Sequence, residues 1–299
     1  MSNDELIGQL QHQIGLARKL LGAAGSLCVE SGHLKAGSRR LWVHSEFGPA
    51  VQDKETNQDF VIAWQDHGET EETKGHWAIM MADGVTSSCW AEWGAELACW
   101  TSLAKFVELR GKQAGKQLAL NSVNAAGAAI GQLADVITRG PQQYRPKDEF
   151  EATWEYVLSE GLFLQTTLTL VWWDGYLHVA IVGDGAVAIR DSSDACCRMV
   201  AGSDLQSSWV HAIGPNNREL AELGAWDRLE LKMPCSVAVF TDGVARGVGC
   251  EVGEIFALAD AAIVEGKTNS AQQVLGFLQQ NRPKDFEDNL SLGLVYIDR

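Results

Sequence analysis

Aspartates recur in this chain at the edges of apolar runs. HWAIMMADG puts Asp83-Gly84 after such a run, LHVAIVGDG does the same with Asp184-Gly185, and SVAVFTDG with Asp242-Gly243. FEDNLSLGLVYI reverses the order and sets Asp288-Asn289 ahead of the run. A strand end fixes the direction in which a carboxylate points, and a following glycine lets backbone and ligand approach closely. Hard divalent cations such as Mg²⁺ and Mn²⁺ take oxygen-rich sites of this kind. Asp-Gly is also a common turn dipeptide, and Trp173-Asp174-Gly175-Tyr176 reads as a two-residue hairpin turn. Four acidic strand ends in one domain are harder to assign to turns, although spacing alone leaves both chemistries open.

To bring these aspartates together the chain must supply strands. Apolar runs predict them at Arg40–His44, Phe60–Gln65, His76–Ala82, Thr166–Trp173, Tyr176–Val182, Ala186–Arg190, Ser236–Thr241 and Leu290–Ile297. Helices are expected over about Trp90–Leu109, Lys116–Thr138, Gly253–Val264 and Ser270–Gln280. Strands in groups, separated by paired helices, favour antiparallel sheets over a doubly wound parallel one, and so an α+β sandwich. The Gly140–Asp148 stretch reads as a loop within one catalytic domain. Residues 1–38 stand apart: Leu6, Leu10, Ile14, Ala17 and Leu21 recur at helical spacing, and Gly22, Gly25, Gly32 and Gly37 then break the pattern. The segment reads as an N-terminal helical extension that packs on the main domain or docks a partner.

Composition excludes several functions. Thirty-nine acidic against 24 basic residues give a formal charge of −15, which repels nucleic-acid phosphate, and no basic stripe interleaved with aromatics appears. No apolar run reaches the roughly 18 residues of a membrane span, and MSNDELIGQLQ lacks the basic start of a secretory signal. A cytoplasmic protein is expected, without membrane or nucleic-acid partners. Seven cysteines with no CxxC, and histidines with no HxxxH or HxH spacing, argue against a disulfide framework or a histidine-built zinc site. Eleven tryptophans, Trp172 and Trp173 among them, read as core packing before they read as a partner surface.

Taken in order, NQD at 57–59, ADG at 82–84, TT at 166–167, GDG at 183–185, TDG at 241–243 and EDN at 287–289 resemble the motifs of the type-2C metal-dependent protein phosphatase (PPM) family, bacterial-type. SWVHAIGP, ending at Pro215, is similar to the segment near that family's mobile flap. The resemblance runs from about Arg40 to Ile297, within a phosphatase domain of residues 39–299. It implies a four-layer α-β-β-α sandwich of two mainly antiparallel sheets flanked by helices. It also implies metal-dependent hydrolysis of phosphoserine or phosphothreonine monoesters on proteins. Two Mn²⁺ or Mg²⁺ ions would be held with Asp83 bridging both, the Gly84 carbonyl on the second and Asp242 and Asp288 on the first. Asp59 would hold water at their edge, so that Asp83 and Asp59 carry the catalysis. Asp184 matches a family aspartate outside the ligand set. Carboxylates about 4–6 Å apart repel by roughly 1–4 kcal/mol per pair near a surface, which two dications would relieve. The implied partners are a phosphoprotein substrate and a cognate Ser/Thr kinase.

The departures from the family pattern are specific. Lys54 stands where an arginine usually grips the substrate phosphate, keeping the charge but losing the two-pronged geometry. Gln58 replaces a common glutamate, and Val85 an animal-enzyme histidine proposed as general acid. Leu162 occupies the place of an aspartate for a third metal, with Glu160 the nearest acid, so a third metal is left open. These departures keep a second reading alive: a weakly active or inactive phosphatase-like regulator that binds a kinase or phosphoprotein.

Overall fold

A strand that is apolar at every position must be covered on both faces. β5 (Trp77–Asp83) is such a strand up to its final Asp83: Trp77, Ile79 and Met81 point to one side, Ala78, Met80 and Ala82 to the other, and all six are buried. The computed structural model describes residues 3–23, 27–30, 32–36, 39–46, 57–66, 75–139, 151–192, 197–202, 205, 210–248, 251–265, 269–282 and 288–297. Within these residues β5 lies in a six-stranded sheet ordered β1 (Leu27–Val29), β4 (Asp59–Gln65), β5, β6 (Leu168–Trp173), β7 (Leu177–Val182) and β10 (Ala225–Leu229). A second six-stranded sheet runs β2 (Gly32–Ala36), β3 (Arg39–Glu46), β12 (Leu290–Ile297), β11 (Cys235–Phe240), β8 (Ala186–Asp191) and β9 (Arg198–Ala201). Neighbouring strands in both sheets are antiparallel.

Period-two alternation sorts the side chains into three cores. Between the sheets, Val61, Ile79, Val171 and Val179 of the first meet Leu41, Val187, Val237 and Val295 of the second. The outer face of the first sheet, with Ile62, Trp64, Met80 and Trp172, is covered by α1 (Asn3–Ala23), α2 (Ala91–Leu109) and α3 (Gly115–Arg139), with α4 (Glu151–Glu160) at the border through Val157 and Leu158. The outer face of the second, with Trp42, Ala188, Phe240 and Leu292, is covered by α5 (Asp242–Val248), α6 (Val252–Val264) and α7 (Ser270–Asn281). The result is the four-layer α-β-β-α sandwich that the sequence resemblance implies. No helix among the described residues is long and apolar enough to cross a membrane.

Every strand expected from an apolar run is present, but four further short ones are not visible as runs. β1 and β2, of three and five residues, pair with Ala63–Gln65 and Arg39–Val43. The sequence groups them with the N-terminal extension, because the glycines that end α1 hide segments too short to show a period. The sheets therefore begin at Leu27, before the boundary drawn at residue 38. β9 and β10 are edge strands with partly exposed, mixed side chains. The β6–β7 hairpin closes over three residues, with Gly175 at φ 111°, rather than over two. The loop at Gly140–Asp148 lies outside the described residues.

The N-terminal helix joins the core. Leu10, Ile14, Ala17 and Leu21 are buried against the α2–α3 layer, whereas Leu16 and Leu20 face outward. Truncating a buried isoleucine to alanine costs about 2–5 kcal/mol. Ile14→Ala should therefore shift the urea midpoint to lower concentration, while Leu20→Ala leaves it nearly unchanged. Equal midpoints for the two variants would mean that α1 is not part of the core.

Candidate active site

Strand pairing alone brings the first two aspartates together, since Asp59 and Asp83 are direct partners across β4 and β5. Asp83 is fixed through its backbone: the Thr167 hydroxyl accepts its N–H at 3.2 Å, while its carbonyl accepts from the Thr167 N–H at 2.8 Å and the Thr166 hydroxyl at 2.9 Å. Thr166 also exchanges backbone hydrogen bonds of 3.0 and 2.8 Å with Ile213, which ties that residue of the SWVHAIGP motif to the same edge. Asp59 is fixed by Asn57, whose side-chain oxygen accepts the Asp59 N–H at 3.1 Å and whose amide donates to Ser45 at 2.7 Å. The paired threonines thus hold Asp83 in place, and Asn57 of the NQD motif holds Asp59.

The second sheet contributes from the opposite side. β11 ends at Phe240, and Thr241 then donates its hydroxyl to Asp59 at 2.9 Å while accepting the Ser291 N–H at 3.1 Å. Asp242 opens α5 directly after this residue, and Asp288 precedes β12, where its carboxylate accepts the Asn289 N–H at 2.8 Å. Asp184 follows β7 through Gly183, whose φ of 100° aims the chain into the same space. A cleft of about 340 Å³ results, lined by Asp83, Gly84, Asp184, Asp242 and Asp288, with Val85 and Val210 at its walls.

The glycines after these aspartates serve packing. A Cβ on Gly84 would stand 2.8 Å from the Ala91 backbone of α2, one on Gly185 would overlap the Thr169 hydroxyl, and one on Gly243 the Asn289 carbonyl. Each glycine thus lets a neighbouring helix or strand approach closely, and Gly84 also lines the cleft.

Electrostatics sets the character of the cleft. Asp83, Asp184 and Asp242 each bring a carboxylate oxygen within 4.8 Å of the others. One oxygen each of Asp59, Asp184 and Asp242 is buried with no hydrogen-bond partner. Unpartnered buried anionic oxygens are costly unless a cation meets them, so this donor set fits hard divalent cations. Burial raises the Asp59 carboxyl to about 7; hydrogen bonds from Asp83 and Thr241 oppose the rise, and the charges of Asp242 and Asp288 add to it. Asp184 is likewise raised to about 7, by burial and then by Asp242, with Arg246 opposing. Asp83 is pushed well above the usual carboxylate range by burial and then by Asp59 and Asp242.

Of the residues singled out in the sequence, Asp83, Gly84, Asp242 and Asp288 line the cleft, and Asp59 sits behind it on Thr241. Asp184, set aside in the sequence reading, belongs to the tightest carboxylate group. Lys54 lies outside the described residues. Glu160 is exposed at the end of α4, its carbonyl accepting from Asn216 at 2.8 Å. Arg246 was missed. Its guanidinium stands 2.7 Å from Asp242 and 3.7 Å from Asp184. The signal was its position four residues after Asp242, one turn along a helix.

The two-sheet α-β-β-α sandwich thus carries its carboxylate cleft at one end of its strands. Residues 51–278 match the protein phosphatase 2C family, and the chain belongs to that family of phosphatases. Among solved structures it is similar to serine-threonine phosphatase 2C from Toxoplasma gondii, with 11% identity and a TM-score of 0.58 over 91% of this chain and 99% of that one. It is also similar to PppA, described as a key regulatory component of the T6SS in Pseudomonas aeruginosa, with 13% identity and a TM-score of 0.56 over 88% and 99%. The catalytic domain of the serine/threonine protein phosphatase PstP, solved in complex with two manganese ions, matches with 15% identity and a TM-score of 0.55 over 87% and 99%. No curated protein sequence matches the chain.

The raised carboxyls predict how stability depends on pH. Between about pH 4, where the unfolded chain releases these protons, and about pH 7, folded Asp59 and Asp184 still hold theirs. The folded state binds more protons across that window, so their contribution to stability falls as pH rises through it. In EDTA the melting temperature should drop from pH 5.5 to pH 8, and Mn²⁺ should raise it more at pH 8 than at pH 5.5. A rise in EDTA over the same interval would contradict the like-charge account of the cleft.

Proposed function

We propose that this protein hydrolyses phosphoserine and phosphothreonine monoesters on proteins, using two divalent cations, Mn²⁺ or Mg²⁺, in the carboxylate cleft. The observation that carries the reading is the set of buried, unpartnered oxygens on Asp59, Asp184 and Asp242 beside Asp83, in a member of a phosphatase family. Asp83, Asp184, Asp242 and Asp288 would hold the cations, with the Gly84 carbonyl at the same wall. When bound, such cations supply Lewis-acid stabilisation and a nucleophile at neutral pH. Asp59, held by Thr241 and Asn57, would orient water at the back of the cleft. The PstP relative, solved with two manganese ions, supports the metal count. A phosphoprotein is the substrate in this reading, and a Ser/Thr kinase acting on that phosphoprotein is its counterpart.

One observation favours the alternative of a weakly active or inactive regulator, namely that Arg246 already pairs with Asp242. Hydrolysis of para-nitrophenyl phosphate separates the two readings. Activity should vanish in EDTA and return with Mn²⁺ or Mg²⁺. Asp83→Asn should lower kcat on the order of 100-fold or more. Asp174→Asn, at the opposite end of β6 where Asp174 meets His178, should stay near wild type. Full turnover after exhaustive chelation, or equal losses in the two variants, would falsify the two-cation reading.

A further inference from the structure

Arg246 stands at the mouth of the cleft with its side chain 53% exposed, yet it is anchored at 2.7 Å on the almost fully buried carboxylate of Asp242. Among the described residues that line this cleft it is the only basic side chain. Arg246 holds one oxygen of Asp242 while the other is buried without a partner, so a cation on that free oxygen would draw on the same carboxylate charge and weaken the ion pair. α5 fixes the backbone of both partners one turn apart, so the guanidinium can leave Asp242 by side-chain rotation alone and remain at the rim.

Charge says what the released guanidinium would meet. Five carboxylates, of Asp59, Asp83, Asp184, Asp242 and Asp288, converge on the site, and two dications would leave one negative charge uncompensated. A phosphate dianion approaching that site needs a further cation, and a planar guanidinium suits phosphate oxygens in a two-pronged geometry. We propose that Arg246 is a substrate-phosphate ligand of this cleft, stored on Asp242 until a divalent cation claims that carboxylate. The inference rests on the two-cation reading and adds to it a residue that recognises the anionic group of the substrate.

Two measurements on the full chain test it, with circular dichroism checking the fold of each variant. Calorimetric titration with Mn²⁺ alone should show about tenfold tighter binding for Arg246→Gln than for wild type, because the internal competitor is gone. Titration of the Mn²⁺-saturated proteins with inorganic phosphate should show about tenfold weaker binding for Arg246→Gln, with KM for para-nitrophenyl phosphate rising in step. Arg246→Lys, which keeps the charge, should lie between wild type and Arg246→Gln in both titrations. Unchanged Mn²⁺ affinity in Arg246→Gln overturns the storage on Asp242, and unchanged phosphate affinity overturns the substrate contact; either result defeats the proposal while leaving the two-cation reading intact. Failure of wild type and variant alike to bind Mn²⁺ would defeat that reading itself, and the proposal with it.

Discussion

The Thr241 hydroxyl ties the two sheets at the cleft, alongside the bond between Asn57 and Ser45. It donates to Asp59 of the first sheet and accepts the Ser291 N–H of the second. Both bonds are buried, where a lost partner leaves a polar group stranded at a cost of about 1–3 kcal/mol. Without this donor both oxygens of buried Asp59, the cross-strand neighbour of Asp83, would lack a hydroxyl partner. The remaining aspartates arrive on β7, β11 and β12, whose ends converge on the same place because the sheets pack face to face. A hydroxyl that satisfies one carboxylate and one amide thus sets the frame in which the others repel, and that repulsion is what a divalent cation would relieve.

What the sequence made legible follows from the length and burial of each element. Strands such as Trp77–Asp83 and Leu290–Ile297 are buried on both faces and read as unbroken apolar runs, so their ends, with Asp83 and Asp288, could be placed. β1, β2, β9 and β10 hold their place by pairing with a neighbour, and three to five residues of mixed character carry no period from which to read it. Asp184 carried the same strand-end signal as Asp83, and only the resemblance set it aside; its unpartnered buried oxygen became visible when β7 was seen beside β6. Arg246 needed one more step, because its spacing from Asp242 means something only once the short helix α5 is known.

The glycines show a similar limit. The Asp-Gly spelling shows a possible ligand approach but not the packing that also demands glycine: Gly84, Gly185 and Gly243 are required by α2, β6 and the Asn289 backbone. Each dipeptide therefore couples a charge to a packing contact. A side chain at any of these glycines would displace the neighbouring element and move the adjacent carboxylate with it.

The second sheet places β12, residues 290–297, between β3, residues 39–46, and β11, so that strands about 250 positions apart are hydrogen-bonded neighbours at its centre. Such long-range pairing is slow, because loop closure must precede the contacts that reward it. During vectorial synthesis on the ribosome, β3 waits with an open edge until nearly the whole described chain has emerged. Asp288 reaches the cleft with the same late strand. A chain lacking β12 has neither a closed second sheet nor a complete carboxylate cleft, so one late strand completes both together, and until it pairs the edge of β3 is open to pairing with other chains.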